Sequence, residues 1–138
     1  MFRLTLALAA GFAPLPASAQ ALSCSLGVPV DAGAPIERGQ RRVAPIAGYT
    51  LALSWSPQYC YRARAGGFAG EAFQCDGTNR FGFVLHGLWP EGVGGVQPQY
   101  CRPVPAISAT IARRHLCAMP SLRLMRHEAA KHGSCMSA

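Results

Sequence analysis

Near its end the chain carries Leu124-Met-Arg-His-Glu-Ala-Ala-Lys-His-Gly-Ser-Cys135, a stretch dense in groups that move protons and hold anions. Wound as a helix at about 100° per residue, it places His127, Glu128, Lys131 and His132 within an arc of about 140°, with Ala129 and Ala130 outside it. Two imidazoles, a carboxylate and an ammonium on one face supply a proton donor, a proton acceptor and a fixed positive charge. The same pattern also describes a solvated polar face of an amphipathic helix, so this segment by itself leaves both readings open. Gly133 is expected to close the helix in the left-handed conformation. A second segment, Phe83-Val-Leu-His-Gly-Leu-Trp-Pro90, adds a third imidazole and tilts the reading toward chemistry.

These side chains must be positioned by something rigid. Tyr49, Leu51, Leu53 and Trp55 alternate with Thr50, Ala52 and Ser54, which predicts a strand from Gly48 with one strongly apolar face, ending at Ser56-Pro57. A second strand is predicted over Phe81–His86, with Phe81, Phe83 and Leu85 on one face and Val84 and His86 on the other. His86 then sits at a strand end, just before a Gly87-Leu-Trp-Pro90 turn, where side chains from a sheet reach into clefts. Tyr59 to Asn79 reads as irregular and Gly-rich. Ala106 to Leu116 reads as a helix with Ile107, Ile111 and Leu116 toward the core. Ser121 is the expected N-cap of the last helix. Strand, strand, helix, helix is an α+β order rather than alternating βαβ.

The N-terminus reads as an export signal over residues 1–19. Arg3 is its one charge, Leu4 to Phe12 is too short to span a bilayer, and Ala17-Ser18-Ala19 has the small-x-small pattern of a cleavage site. Residues 20–47 form a loop-rich segment broken by Pro and Gly, with Arg38, Arg41 and Arg42 as a small basic cluster expected to face solvent. Residues 48–138 carry the domain. Without Arg3, 12 basic residues face 6 acidic ones, and all but one of the 12 are Arg, whose planar fork suits phosphate. Charge alone does not choose among RNA, DNA, anionic lipid and acidic glycans. Six cysteines (24, 60, 75, 101, 117 and 135) in an exported chain imply three disulfides and an oxidising compartment, periplasmic or extracellular. No segment is apolar for long enough to be a membrane span, and no obligate protein partner is implied.

Gly82-Phe-Val-Leu-His-Gly-Leu-Trp-Pro90, followed about 40 residues later by His127-Glu-x-x-Lys-His-Gly-Ser-Cys135, strongly resembles the two active-site segments of the ribonuclease T2 family. Leu51-Ala-Leu-Ser-Trp-Ser-Pro-Gln-Tyr-Cys60 is similar to the opening strand of its bacterial members. The resemblance covers roughly Gly48 to the C-terminus. It implies an α+β fold with an antiparallel sheet and packed helices, and an endoribonuclease that needs no metal or other cofactor. Such an enzyme cleaves single-stranded RNA through a 2′,3′-cyclic phosphate. By this resemblance His86 and His132 serve as acid and base, in an order the sequence leaves open. Glu128 and Lys131 stabilise and orient the five-coordinate phosphorus, His127 holds the phosphate, and Trp89 lines the pocket beside His86. A role for Trp89 in wedging the turn into the core stands beside that one. The resemblance also implies a Cys101–Cys135 bridge; Cys75–Cys117 and Cys24–Cys60 complete the expected set.

Two features depart from the family pattern. Ala129 stands where an aromatic, most often Trp, is usual, and a cavity is expected behind the helix. The sequence ends three residues after Cys135, where family members continue with further strands and helices, so the domain is expected to be incomplete at its C-terminus. A zinc hydrolase reading of His127-Glu128 fails because the second ligand position, 131, is Lys and His132 is rotated by about 100°. The remaining rival is a catalytically impaired, truncated, disulfide-stapled basic remnant that binds RNA. His115 is expected on a helix surface. Glu91 and Tyr100 could touch a base, although loop polar residues usually touch water.

Overall fold

A computed structural model describes residues 21–27, 30, 38–66 and 72–136 of the 138-residue chain. The expected export signal therefore lies outside the described residues. β1 (Ile46–Trp55) and β2 (Phe83–Gly92) pair antiparallel in a two-stranded sheet, accompanied by α1 (Ser56–Ala65), α2 (Ala72–Cys75), α3 (Ala109–His115) and α4 (Leu122–Lys131). This is the α+β architecture expected from the order of elements. No helix among the described residues is long and apolar enough to cross a membrane.

The stretch after β1, expected to be irregular, contains α1 and α2. Pro57 falls at the start of α1, where its fixed φ suits a first turn and its missing N–H costs nothing. The helix escapes periodicity analysis because small side chains, Cys60 and Ala63, make its buried stripe. Cys60 is bonded to Cys75 in α2, and Gln74 Nε2 donates to Ser56 Oγ (2.5 Å) beneath them. The expected pairings Cys75–Cys117 and Cys24–Cys60 are thus incorrect. Cys24 instead bonds Cys117 just beyond α3, and Ser23 bridges Arg80, which binds the N-terminal segment across the fold. Cys101–Cys135 forms as expected.

β2 likewise runs further than its composition suggests. The Gly87-Leu-Trp-Pro90 segment continues the strand to Gly92 instead of turning. Pro90 is tolerated because a two-stranded sheet has only edge strands. Register decides where its side chains point: Ala52 pairs with Gly87 and Leu53 with Leu85, so His86 is an extra residue, a β-bulge. The aromatics expected on one face are divided. Phe81 is buried against Phe73 before the strand begins, while Phe83 packs at a tilt against Trp55 in the open.

The core lies under the helices: Ala112, Leu116, Met119 and Met125, with Leu85, Ile107 and Leu122 packed against them. α3 begins at Ala109, capped by Ser108 Oγ, which accepts from Ile111 N (3.3 Å). Ile111, expected inside, is 53% exposed, since Ala112 and Leu116 occupy the inward stripe. The apolar face of the sheet, Tyr49, Leu51, Leu53 and Trp55 with Phe83 and Leu88, is also open; Leu51 is 62% exposed. With so little apolar surface withdrawn from water, covalent crosslinks carry an unusual share of the stability.

In the chain-entropy account, a bridge stabilises more as its loop lengthens, from about 3 kcal/mol for 15 residues to about 4.7 kcal/mol for 100. The bridges here span 93, 15 and 34 residues. Guanidinium unfolding should therefore find Cys24→Ser/Cys117→Ser the most destabilised pair variant and Cys60→Ser/Cys75→Ser the least, about 1.5 kcal/mol apart.

Candidate active site

α4 starts with the expected cap, Ser121 Oγ accepting from Leu124 N (3.1 Å). It does not end in a left-handed glycine. Gly133 instead opens a 3-10 turn over Gly133–Cys135, and His132 N donates to Glu128 O (3.0 Å) at the junction. The tight turn is needed because Cys135 must reach Cys101. Cys101 N also donates to Ser134 Oγ (2.9 Å), and Tyr100 N donates to Lys131 O (2.8 Å). The end of the helix is therefore held at three places by the strand-to-helix connection.

The bulge brings the two sequence segments together. In an unbroken strand His86 and Trp89, three residues apart, would project from opposite faces. With His86 as the extra residue both reach the same side. Their rings meet edge to face at 5.5 Å, and Trp89 also contacts His132, its ring 5.5 Å away. One indole thus touches both imidazoles. Glu128 joins them: its Oε2 accepts from Trp89 Nε1 (2.8 Å), and its Oε1 lies 3.5 Å from His86 Nε2. The opposite side of the His86 ring is held by Ser54, whose Oγ is 2.9 Å from Nδ1.

Two residues of this site were not singled out in the sequence. Ser54 was only an alternating residue of β1; its place on the polar face, two residues from the bulge, is the signal that could have marked it. Gly87 is the other. A Cβ there would overlap the Glu128 carboxylate and crowd the Trp89 Nε1, so only glycine lets the helix carboxylate approach the strand so closely.

Electrostatics separate the two imidazoles. His86 is half-buried and reachable from solvent, whereas His132 is only 6% exposed and its Nδ1 is buried without a hydrogen-bond partner among the described residues. Burial pushes the His132 pKa below its ordinary value; Glu128 opposes that shift, while Lys131, His127 and His86 add to it as nearby positive charges. His132 is therefore held toward its neutral form. Glu128 is 7% exposed, and Lys131 and His127 are half-buried on the same helix. Glu91 stands apart from this cluster, its carboxylate accepting from Gln97 Nε2 (3.4 Å), and His115 is exposed on α3 as expected. Tyr100 lines a separate cleft.

A family model described as the Ribonuclease T2 family matches residues 47–138. The chain belongs to the ribonuclease T2 family. It is 36% identical over 106 residues to a "Probable ribonuclease" of Haemophilus influenzae, covering 70% of this chain and 39% of that one. It is 41% identical over 90 residues to a "Ribonuclease" of Aeromonas hydrophila, covering 63% of this chain and 36% of that one. The chain thus spans well under half the length of these relatives. No solved structure matches it. The matched T2 region contains the whole cluster described above, from Ser54 to His132.

Behind α4, on the flank opposite Lys131, lies an apolar pocket of about 260 Å³ lined by Ala129, Leu88, Ile107, Ile111, Met125 and Met136. It is where the small side chain at 129 was expected to leave space. Ala129→Phe should fill part of it and stabilise the fold by about 0.5–2 kcal/mol, read from the midpoint of denaturant unfolding. Acid should act in the opposite sense. The folded-state pKa of His132 lies below the unfolded value of about 6.5, so between the two the unfolded chain binds more protons and stability falls as pH drops. Unfolding free energy measured from pH 7 to pH 5 should decline more steeply for the wild type than for His132→Gln. Equal slopes would show that His132 is not held neutral.

Proposed function

We propose that this chain is an endoribonuclease that cuts single-stranded RNA by transphosphorylation. The 2′-hydroxyl attacks phosphorus, the 5′-oxygen leaves, and a 2′,3′-cyclic phosphate forms, to be opened by water to a 3′-phosphate end. The observation that carries this reading is the convergence of His86 and His132 on one indole, with the Glu128 carboxylate beside His86. A proton must be removed from the attacking hydroxyl and another delivered to the leaving oxygen, and two imidazoles in different protonation states can do both.

The environments of the two histidines favour a division of labour. His132, held neutral by burial, is suited to accept the 2′-hydroxyl proton. His86, nearer solvent and beside the Glu128 carboxylate, is suited to deliver a proton to the leaving oxygen. Glu128 would orient His86 and Trp89, Lys131 would stabilise charge building on the phosphorane, and His127 would hold the phosphate. Trp89 would line the pocket between the imidazoles. RNA selectivity follows from the attacking group, which DNA lacks. Three disulfides suit a secreted or periplasmic site of action. The competing reading, a basic stapled remnant that binds RNA without cutting it, rests on the open sheet face and the Arg-rich charge.

Incubating the oxidised chain with an RNA that carries one 2′-deoxy linkage separates these readings. Cleavage everywhere except at that linkage is expected, with cyclic phosphate as the first product. Binding with no cleavage would leave the remnant. His86→Ala and His132→Ala should each reduce the cleavage rate by at least about 10²-fold, the usual scale for loss of a general acid or base, with RNA affinity little changed.

A further inference from the structure

A cleft of about 570 Å³ lies on the flank of α4 away from the apolar pocket. Arg38, Arg41 and Arg102 line it, and no carboxylate does so among the described residues. Arg41 donates through Nε to Cys101 O (2.9 Å), and Arg102 donates through Nη2 to Met136 O (3.2 Å). Both guanidiniums are oriented by backbone and keep further N–H groups for an anion. Tyr100 lines the same cleft; it has φ +50° and is the positive-φ residue other than glycine among those described. Its ring lies against Gly39 so closely that a Cβ at 39 would overlap it. A strained residue pinned by a glycine and by the Lys131 carbonyl is an unusual arrangement to maintain on a surface, and such strain concentrates at binding sites.

The chemistry of the cleft, an aromatic face beside forked cations, matches a nucleotide: a base for the phenol ring and a phosphate for the guanidiniums. Its position indicates which nucleotide. Around α4, counted from Glu128, Lys131 lies at about 60° and His127 at about 100° in one sense, and Ala130, which lines the cleft, at about 160° in that same sense. Lys131 and His127 therefore lie along the way round the helix from the site to the cleft. We infer that the Arg38–Arg41–Arg102 cleft with Tyr100 binds a flanking nucleotide of the single-stranded RNA whose scissile phosphate sits at His86 and His132. The inference rests on the ribonuclease reading for the identity of the strand. It revises the expectation that the Arg38–Arg42 cluster merely faces solvent.

The test compares a dinucleoside monophosphate with a dodecamer, using the full chain. In Arg38→Ala/Arg102→Ala, KM for the dodecamer should rise about tenfold with kcat unchanged, while kcat/KM for the dinucleotide stays at the wild-type value. Arg38→Glu, at an exposed position, should raise KM in the same selective way if the double variant folds poorly. A parallel measurement follows binding of an uncleavable 2′-O-methyl dodecamer by fluorescence anisotropy. The slope of log Kd against log salt should shrink by about 0.7 for each arginine removed. Equal losses on both substrates, or an unchanged salt slope in variants that fold, would overturn the assignment. A reduced slope in a chain that cuts no RNA would keep the cleft as a strand-binding site and remove the nuclease reading; normal cutting with an unchanged slope would do the reverse.

Discussion

The approach of the Glu128 carboxylate to the β2 backbone at Gly87 is the contact on which the site depends. It is the point where helix and strand share a group: one oxygen takes the Trp89 indole N–H, the other faces the His86 imidazole, and the Glu128 carbonyl accepts the His132 N–H. A buried carboxylate is costly unless its oxygens are satisfied. Here the partners that satisfy it are the site's own rings. Stability and the geometry of the candidate site are therefore drawn from the same few bonds, and a side chain at position 87 would break both.

What surrounds this contact is mostly arranged to keep it from moving. The α4 terminus is tied by the Cys101–Cys135 bridge, by Cys101 N to Ser134 Oγ, and by Tyr100 N to Lys131 O. The strand side is fixed by Ser54 and by sheet pairing on either side of the bulge. Bulges re-aim side chains, and here the bulge re-aims one catalytic candidate relative to another. The balance of charge follows from the same packing. Burial lowers the His132 pKa, and Lys131, His127 and His86 add to that as positive neighbours while a single carboxylate opposes it, so the packing favours a neutral imidazole at 132.

The distribution of apolar surface explains why the staples matter. The sheet offers its large side chains, Leu51, Trp55 and Phe83 among them, to the outside, and the helices bury a modest cluster around Met125 and Leu116. A fold with that ratio has little hydrophobic stabilisation to set against chain entropy. Disulfides that close long loops, above all Cys24–Cys117, restrict the unfolded chain instead.

The amino-acid sequence by itself determined the family, the strand-then-helix order, the Ser121 cap and the Cys101–Cys135 bridge, and it singled out the imidazoles and the carboxylate proposed for the chemistry. Those are carried by local residue types, or by spacings within one element, and such patterns survive without knowledge of the fold. It missed α1, because a helix buried through Cys60 and Ala63 leaves no apolar period. It ended β2 too early, because proline is forbidden in a central strand but not in an edge strand. Two cysteine pairings were wrong, since pairing depends on which loops the folded chain brings within reach. Only the tertiary structure decided that His86 and Trp89 share a face, since an inserted residue shifts register through the partner strand. Only it revealed that Ser54 and Gly87 belong to the site, because their roles are contacts across the sheet and against a helix distant in the chain.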